Sequence, residues 1–356
     1  MPKISIIVAV YNIEKFLPKC LDSLCLQSLN DIEIICVNDG STDKSLDILN
    51  EYAKKDSRIK IINQKNNGVA AARNAGLSVA QGEYLQFVDG DDWINLNLCE
   101  KVYNVAQKND SDIVMFNVAF YDNKKNCVIS GKFFNSSSWT GHVDENTAHV
   151  YSDCVTIFYG NLSAANKLYR KSFIDSIGVK FPENVRFEDH LFHLESVFSS
   201  SRINILDEQL YYYRQNRKNS MMTTLKTTKV VMDIFPIVDL VEAMLKRIGK
   251  YEHLKYLFFQ FKYEALAHYY MTINFFQKPK YFKKMKGEFK KLLEGDYDLN
   301  VCKKMSNFYN FTDILNYNWF SCYVLKKVLD NPKKDYRKKF EPFKQALESG
   351  FSKVGV

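Results

Sequence analysis

The chain has 356 residues, of which 46% are hydrophobic and 14% aromatic, and its formal net charge is +8, enough for one large domain or two. No uninterrupted apolar run approaches the roughly 20 residues of a membrane span. The first run lacks a small-residue cleavage site after it, so we expect a buried strand there rather than a secretion signal. The 8 cysteines are scattered without a CxxC pair, which favours reduced core cysteines of a cytosolic protein over zinc or disulfides.

Short apolar runs alternate with helical patterns through residues 1–120, which predicts an α/β fold with a mostly parallel sheet covered on both faces. Ligands of such sheets bind outside the carboxyl ends of the strands. The predicted strands are Ile4–Val10, Ile32–Asn38, Ile59–Asn63, Tyr84–Val88 and Ile113–Phe120. The predicted helices are Glu14–Gln27, Asp43–Lys55, Val69–Val79 and Leu96–Gln107.

Polar residues follow the first three predicted strands. Tyr11 and Asn12 close the first strand, where a tyrosine serves either for packing or as a platform for a base. Asp39 begins a glycine turn that either forms an ordinary strand-to-helix connection with a helix cap or places the Asp39 carboxylate to accept an N–H from a pyrimidine ring. Arg73 emerges from an alanine-rich helix start, either solvated or paired with a phosphate or with Asp39.

The fourth predicted strand ends in Asp89-Gly90-Asp91-Asp92-Trp93. Three carboxylates at a strand end repel one another unless a cation compensates them. Oxygen ligands of this kind suit Mg²⁺ or Mn²⁺, which share their shell with substrate phosphates. The cluster therefore predicts a metal site that handles a phosphorylated substrate.

Residues 121–220 break the alternation, and we expect them to extend the sheet and line an acceptor cleft, with a hairpin around 123–126 and a serine-rich loop at 135–138.

Glu188 and Asp189 fall in the first turn of a predicted helix, as caps or as a general base. His190 and His193 lack a third ligand for zinc.

The stretch 211–220 is an aromatic strand that runs into a basic segment, which is either a surface loop or a lid whose Arg214, Lys218 and Ser220 fold over a diphosphate.

The basic excess lies in the last third of the chain. Residues 221–356 hold 25 Lys and Arg against 14 Asp and Glu, whereas residues 1–220 hold 24 against 27. This asymmetry indicates an anionic partner, and cationic heads above an aromatic face favour a membrane surface over nucleic acid. Helical spacing predicts helices at Val230–Ile248, Leu254–Phe276, Tyr281–Leu293 and Asp313–Leu329.

Taken in order, four segments closely resemble glycosyltransferase family 2: Ser5–Asn12, Val37–Asp43, Asn67–Gly76 and Gly82–Trp93. The resemblance covers about 1–220 and implies a GT-A, Rossmann-like catalytic domain with a nucleotide-sugar-binding half (1–120) and an acceptor half (121–220). It does not extend to the helical basic region at 221–356.

The resemblance also implies roles for matching positions. Metal binding falls to Asp91, with Asp89 on the ribose or on metal-bound water, and proton abstraction falls to Asp189, with Glu188 as its companion. Many relatives have proline where Ala9 stands, so the contact at Ala9 runs through the backbone. The implied nucleotide-sugar-binding residues are Ala9, Tyr11, Asn12, Asp39, Arg73, Asp89, Gly90, Asp92, Lys167, Arg214 and Ser220.

The expected activity is inverting transfer of a sugar, by single displacement with Mn²⁺ or Mg²⁺, from a UDP-type donor to a glycan or lipid-linked glycan acceptor. The alternative is a catalytically silent nucleotide-sugar-binding module of a larger assembly, against which the intact Asp91 and Asp189 argue. We further expect a cytoplasmic protein, peripheral on the cytoplasmic face of the membrane, with no nucleic-acid partner, and a homodimer is open.

Overall fold

The structure is a computed structural model that describes residues 1–129, 145–153, 162–217, 231–294 and 297. Apolar and β-branched runs form its strands, which are β1 (Ile4–Val10), β2 (Ile32–Asp39), β3 (Ile59–Gln64), β4 (Tyr84–Asp89), β5 (Trp93–Ile94), β6 (Ile113–Asp122), β7 (Cys127–Ile129), β8 (Lys167–Arg170) and β9 (Ile203–Gln215). Within the described residues they make one nine-stranded sheet in the order β3-β2-β1-β4-β8-β6-β9-β5, and β7 pairs with β6.

Helices connect most of these strands and follow the last one. They are α1 (Leu17–Cys25), α2 (Ser45–Lys55), α3 (Val69–Val79), α4 (Leu98–Asn109), α5 (Lys171–Ile177), α6 (Glu188–Ser199), α7 (Ile234–Arg247), α8 (Tyr251–Thr272) and α9 (Lys278–Glu294).

The first four strands are parallel, as the alternating pattern predicts, and helices follow each of β1 to β3. Every residue of β2 is buried, which suits a strand covered on both faces. In register, Ala9 lies beside Asp89 and Val10 beside Asn38. The loops after β1, β2 and β4 therefore leave the sheet at one edge, where a ligand of a parallel sheet binds.

The second half of the sheet is mixed. Strand β8 runs antiparallel to both β4 and β6, while the long β9 runs parallel to β6 and antiparallel to β5. The predicted hairpin at 123–126 is confirmed, because Asp122 pairs with Cys127 across that turn. The predicted serine-rich loop at 135–138 lies outside the described residues.

The described residues divide into two compact units. The first contains the described residues up to 217 together with Asp233–Phe258. The second contains Val231, Met232 and the described residues from Phe259 on. The proposed boundary at 220/221 stays a prediction. Three of the four predicted C-terminal helices correspond to α7, α8 and α9, and the fourth, at 313–329, lies outside the described residues. Among the described helices, none is long and apolar enough to cross a bilayer.

Candidate active site

The loops after β1 and β2 hold each other through reciprocal hydrogen bonds. Asn12, at a left-handed φ of 50°, donates its backbone N–H to Ser41 Oγ (3.1 Å) and accepts from Thr42 N–H on its own Oδ1 (2.8 Å). Glu14 Oε2 accepts from Lys44 N–H at 3.0 Å. The rim beside the site is thus preorganised, and it leaves Tyr11 48% exposed, open to a flat ligand group.

Asp39, at the end of β2, is buried and holds the start of α3. Its Oδ1 accepts from Gln64 Nε2 (2.8 Å) and Asn67 N–H (2.9 Å), and its Oδ2 accepts from Gly68 N–H (2.8 Å). A carboxylate at a helix N-terminus satisfies N–H groups that have no partner within the helix. The expected contact of Asp39 with a nucleobase stays a prediction, whereas its hydrogen bonds give it a structural role at the start of α3.

The acidic turn after β4 depends on Gly90. A Cβ at this position would lie 2.5 Å from Ile13 Cδ1 and 3.1 Å from the Ala9 carbonyl oxygen, so only glycine fits without displacement. Gly90 N–H itself donates to the Ala9 oxygen at 3.3 Å. This close approach fixes Asp89 and Asp91 against the end of β1.

The carboxylate of Asp92 is bonded inside the protein, and its expected contact with the donor stays a prediction. Asp92 is 1% exposed, and its two oxygens accept from Tyr211 Oη (2.8 Å) and Arg214 N–H (2.7 Å). Burial raises the pKa of Asp92 well above its usual range, and the neighbouring Asp91 and Asp89 add to the effect. Asp92 joins the acidic turn to β9.

Arg73 joins the two carboxylate groups of the site. Its Nη2 donates to Asp89 Oδ1 at 2.8 Å and its Nη1 donates to Glu188 Oε1 at 2.6 Å. Of the three alternatives for Arg73, the structure shows neither a solvated side chain nor a pairing with Asp39, and the contact with a phosphate stays a prediction. Burial alone would lower the pKa of Arg73, but Asp89 and Glu188 outweigh it and raise that pKa. One buried guanidinium thus links β4 to the start of α6.

Helix α6 begins directly after Phe187, which has a left-handed φ of 63°. Its first turn carries Glu188 and Asp189, as predicted from the apolar spacing. Burial raises the pKa of Asp189, an effect that Arg73 opposes and Asp89 reinforces. A half-buried aspartate with a raised pKa beside a cationic bridge suits a general base.

An aromatic cluster supports this helix start. Phe181 stacks on Phe192 of α6 with ring centroids 4.1 Å apart, and Phe87 of β4 meets Phe181 edge-on at 5.1 Å. The Arg73 guanidinium lies 5.2 Å from the Phe181 ring. The apolar packing of β4 against α6 therefore sets the spacing between the acidic turn and Asp189.

Lys167 lies on β8 and is 1% exposed. Its Nζ donates to the Ser163 carbonyl oxygen (2.6 Å) and Asn166 Oδ1 (2.7 Å). Burial lowers the pKa of Lys167 to about 7, against the opposing pull of Asp189. The Lys167 amine is therefore buried, and it lies close enough to Asp189 for the charges of the two groups to interact. A contact of Lys167 with the donor stays a prediction.

Arg214 belongs to β9 and not to a loop. It is 8% exposed, its Nε donates to the Asp91 carbonyl oxygen at 2.8 Å, and its Nη1 donates to Asn123 Oδ1 at 2.9 Å. Arg214 thus lies in a strand, and its expected contact with the diphosphate stays a prediction. Ser220 and Lys218, its proposed companions, lie outside the described residues.

Arg217 is the site residue that sequence reasoning did not assign. Its guanidinium contacts the Asp91 carboxylate, and each side chain is 18% exposed. Burial raises the pKa of Asp91, and Arg217 opposes that rise while Asp89 adds to it. Arg217 stands in the quoted basic segment, but a run of basic residues does not tell which of them meets an acid 126 positions earlier.

In the described part of the chain, no three His, Cys, Asp or Glu side chains converge as metal ligands, His190 and His193 included. Asp89 and Asp91 still place two carboxylates on one turn. Mg²⁺ commonly takes one or two carboxylates and completes its shell with substrate phosphates and water, and Mn²⁺ prefers similar oxygen ligands. These residues fit an ion that arrives with a diphosphate.

The profile of the family described as Glycosyl transferase family 2 matches residues 5–177. Over 220 residues the chain is 38% identical to the uncharacterized glycosyltransferase EpsJ of Bacillus subtilis, a match that covers 61% of this chain and 62% of EpsJ, less than two thirds of its length. Over 253 residues it is 32% identical to the glycosyltransferase GlyG of Streptococcus pneumoniae, and this match covers 69% of this chain and 79% of GlyG.

A crystal structure of S. aureus TarS 1-349 in complex with UDP-GlcNAc is similar to this chain with a TM-score of 0.70 at 21% identity, and the match covers 92% of this chain and 91% of the other. TarS from strain Mu50 is named a poly(ribitol-phosphate) beta-N-acetylglucosaminyltransferase. The structural similarity shows a shared fold, the GT-A arrangement that the sequence predicts.

Proposed function

This chain belongs to glycosyl transferase family 2, and from that premise we propose that it is an active, inverting glycosyltransferase. In this proposal it moves a hexosyl or N-acetylhexosaminyl group from a UDP-sugar to a hydroxyl of a glycan acceptor. The acceptor belongs to a cell-surface polysaccharide or to a lipid-linked oligosaccharide.

The observation that carries the proposal is the Arg73 bridge. A donor-side carboxylate, Asp89, and a base-side carboxylate, Glu188, bond to the same buried guanidinium. Asp189, the residue after Glu188, lies close enough to Asp89 for the Asp89 charge to raise its pKa. A transferase needs this proximity, because the acceptor hydroxyl must attack while the donor is held in place.

The exposed Tyr11 ring, Asn12, and the end of β2 at Asp39 would bind the nucleoside, and Ala9 would contact it through the backbone. The UDP-GlcNAc bound by TarS supports a uridine nucleotide as the donor's carrier. Asp91 and Asp89 would hold Mn²⁺ or Mg²⁺, which when bound offsets negative charge on the diphosphate.

Asp189 would accept the proton of the acceptor hydroxyl as that oxygen attacks the anomeric carbon. The C–O bond to the diphosphate breaks on the opposite face, so one displacement inverts the configuration, and the proton ends on the Asp189 carboxylate. No covalent sugar–enzyme intermediate is needed. The raised pKa of Asp189 makes it a better proton acceptor than an exposed aspartate.

A donor screen tests this function. Purified protein is incubated with Mn²⁺ and a panel of UDP-sugars, and thermal stabilisation and slow donor hydrolysis are recorded. One UDP-sugar should stabilise the wild type, and Asp91→Ala should lose both readouts. Asp175→Asn, an exposed acid on α5 paired with Lys171, should behave as the wild type. Absence of any response to UDP or its sugars would count against the proposal.

We further propose that the second unit lies against an anionic membrane surface. The turn before α9 exposes Phe276 by 87% and Phe275 by 44%. The exposed residues of α9 include Lys280, Lys283, Lys284 and Lys290. Apolar rings beside a lysine-rich face suit the boundary of anionic lipid.

Vesicle sedimentation tests the membrane proposal. The protein should sediment with vesicles that contain phosphatidylglycerol and not with pure phosphatidylcholine. The double substitution Lys280→Glu and Lys283→Glu should abolish this, whereas Lys180→Glu, an exposed lysine of the first unit, should not. Equal binding to both vesicles, or tighter binding to RNA, would contradict it.

A further inference from the structure

The Asp91 carboxylate of the acidic turn contacts the guanidinium of Arg217, which lies two residues beyond the end of β9. Neither group is fully buried, since each side chain is 18% exposed. Part of each side chain is therefore open to solvent, although the Arg217 Nε atom is itself buried.

The position of Arg217 is set by the strand before it. Arg214 is fixed to the acidic turn through Asp92 and the Asp91 carbonyl oxygen. Asn216 then adopts a left-handed φ of 59°, which turns the chain. The Arg217 guanidinium lies 5.9 Å from the Phe16 ring. The backbone thus delivers this guanidinium to Asp91.

The two arginines of the site differ in how firmly they are held. Arg73 is 7% exposed and makes aligned hydrogen bonds to two carboxylates. Within the described residues Arg217 pairs with one carboxylate, that of Asp91, and its side chain is 18% exposed against 8% for Arg73. Arg217 is therefore the more readily displaced of the two.

A divalent cation on Asp91 and a guanidinium on the same carboxylate repel each other. A diphosphate changes this balance, because its oxygens give the guanidinium a bidentate partner of higher charge. Resting on the proposed function, we propose that Arg217 is an internal counter-ion of Asp91 that yields to a divalent cation only when a nucleoside diphosphate is present to bind the guanidinium. The ion and the nucleotide then bind cooperatively through Arg217.

Equilibrium Mn²⁺ binding, read from the free-ion EPR signal, tests this inference without any turnover. It is measured with and without UDP on the wild type, Arg217→Met and Arg217→Gln. Without UDP, both variants should bind Mn²⁺ about fivefold or more tightly than the wild type. Addition of UDP should tighten Mn²⁺ binding strongly in the wild type and much less in the variants, since coupling factors of about 5 to 150 are typical.

Arg202→Met is the matched control, because Arg202 is an exposed arginine paired with Asp110, and it should bind Mn²⁺ as the wild type does. Unchanged or weaker Mn²⁺ binding by both Arg217 variants without UDP overturns the counter-ion inference and leaves the proposed function intact if UDP still binds. A wild type that binds neither UDP nor Mn²⁺ overturns the proposed function, and this inference with it.

Discussion

Asp189 stands half-buried in the first turn of α6, and burial raises its pKa above the ordinary value for aspartate. A base must be deprotonated to act, so kcat/KM should fall as the pH drops through this raised pKa. We expect the acidic limb, measured for the acceptor at saturating donor, to lie above pH 4, the usual range of an exposed aspartate. A rate that holds constant below pH 4 would argue against Asp189 as the base.

Arg73 bonds two acids from a buried position, so its removal leaves Glu188 with an uncompensated charge. Breaking a buried pair on one side costs about 3–5 kcal/mol. Arg73→Met should therefore lower the urea-derived free energy of unfolding by about 3 kcal/mol.

The partner substitution checks the cause. Adding Glu188→Met to Arg73→Met should restore part of the lost stability, because no unpaired charge remains at that position. Arg202→Met, at an exposed pair, should change stability by less than about 1 kcal/mol. A double variant no more stable than Arg73→Met would mean that the charge pair is not the cause.

At this scale the sequence predicts residue types but not partners. Acids at strand ends and in a first helical turn follow from pattern alone, and the structure has them there. Which acid meets which arginine depends on tertiary distances, so the sequence left the partner of Arg73 open and assigned none to Arg217. The buried anchoring of Asp92 by Tyr211 was equally invisible, because it joins positions 119 apart.

The turn between β4 and β5 has no room for a side chain at Gly90. Gly90→Ala would place a methyl group against Ile13 Cδ1 and the Ala9 oxygen, and overpacking of this kind costs about 1–3 kcal/mol. We expect lower stability and a clear loss of UDP affinity, measured by calorimetry, since the turn carries Asp89 and Asp91.

Two further variants test that explanation. Ile13→Val combined with Gly90→Ala removes the closest clash and should recover part of the UDP affinity. Gly287→Ala, in α9 with nothing within 4 Å of the added Cβ, should raise stability slightly. UDP affinity unchanged in Gly90→Ala would show that the turn tolerates displacement.

Strand β8 carries the buried amine of Lys167, whose pKa falls to about 7 in the folded chain against 10.5 ordinarily. Between these values the unfolded chain binds a proton that the folded chain does not, so stability rises with pH by about 1.4 kcal/mol per unit. Lys167→Met should lose this slope between pH 8 and 9 in urea unfolding. Lys180→Met, at an exposed site, should keep it, and an unchanged slope in Lys167→Met would contradict the assignment.

Element positions in the first half follow closely from periodicity. Helix α3 matches its predicted bounds, and β2, β3 and β4 extend only one residue further than predicted. Helix α1 begins three residues later than predicted, at Leu17, because the preceding loop bonds to the residues after β2 instead. The insertion of β8 between β4 and β6 was not predicted, since strand order across a sheet depends on long-range pairing.

Across the whole molecule, charge and chemistry separate along the sequence. The acidic turn, the ion pairs of Arg73 and the start of α6 lie within residues 73–217, while the basic excess lies beyond residue 220. The two parts therefore serve different partners in this account, a nucleotide sugar and an anionic surface. Composition alone predicts an anionic partner, which stays a prediction, whereas the nucleotide sugar was predicted from the order of four motifs.

The most direct test of the central claim compares Asp189→Asn with the wild type, using the UDP-sugar that the donor screen selects. Asparagine keeps the shape of the side chain but cannot take the proton. We predict UDP-sugar affinity within about threefold of the wild type and transfer to acceptor slower by about 10²–10⁴-fold, with the wild-type product inverted at the anomeric carbon by NMR. Transfer at a near wild-type rate by Asp189→Asn, or a product with retained configuration, would contradict the account.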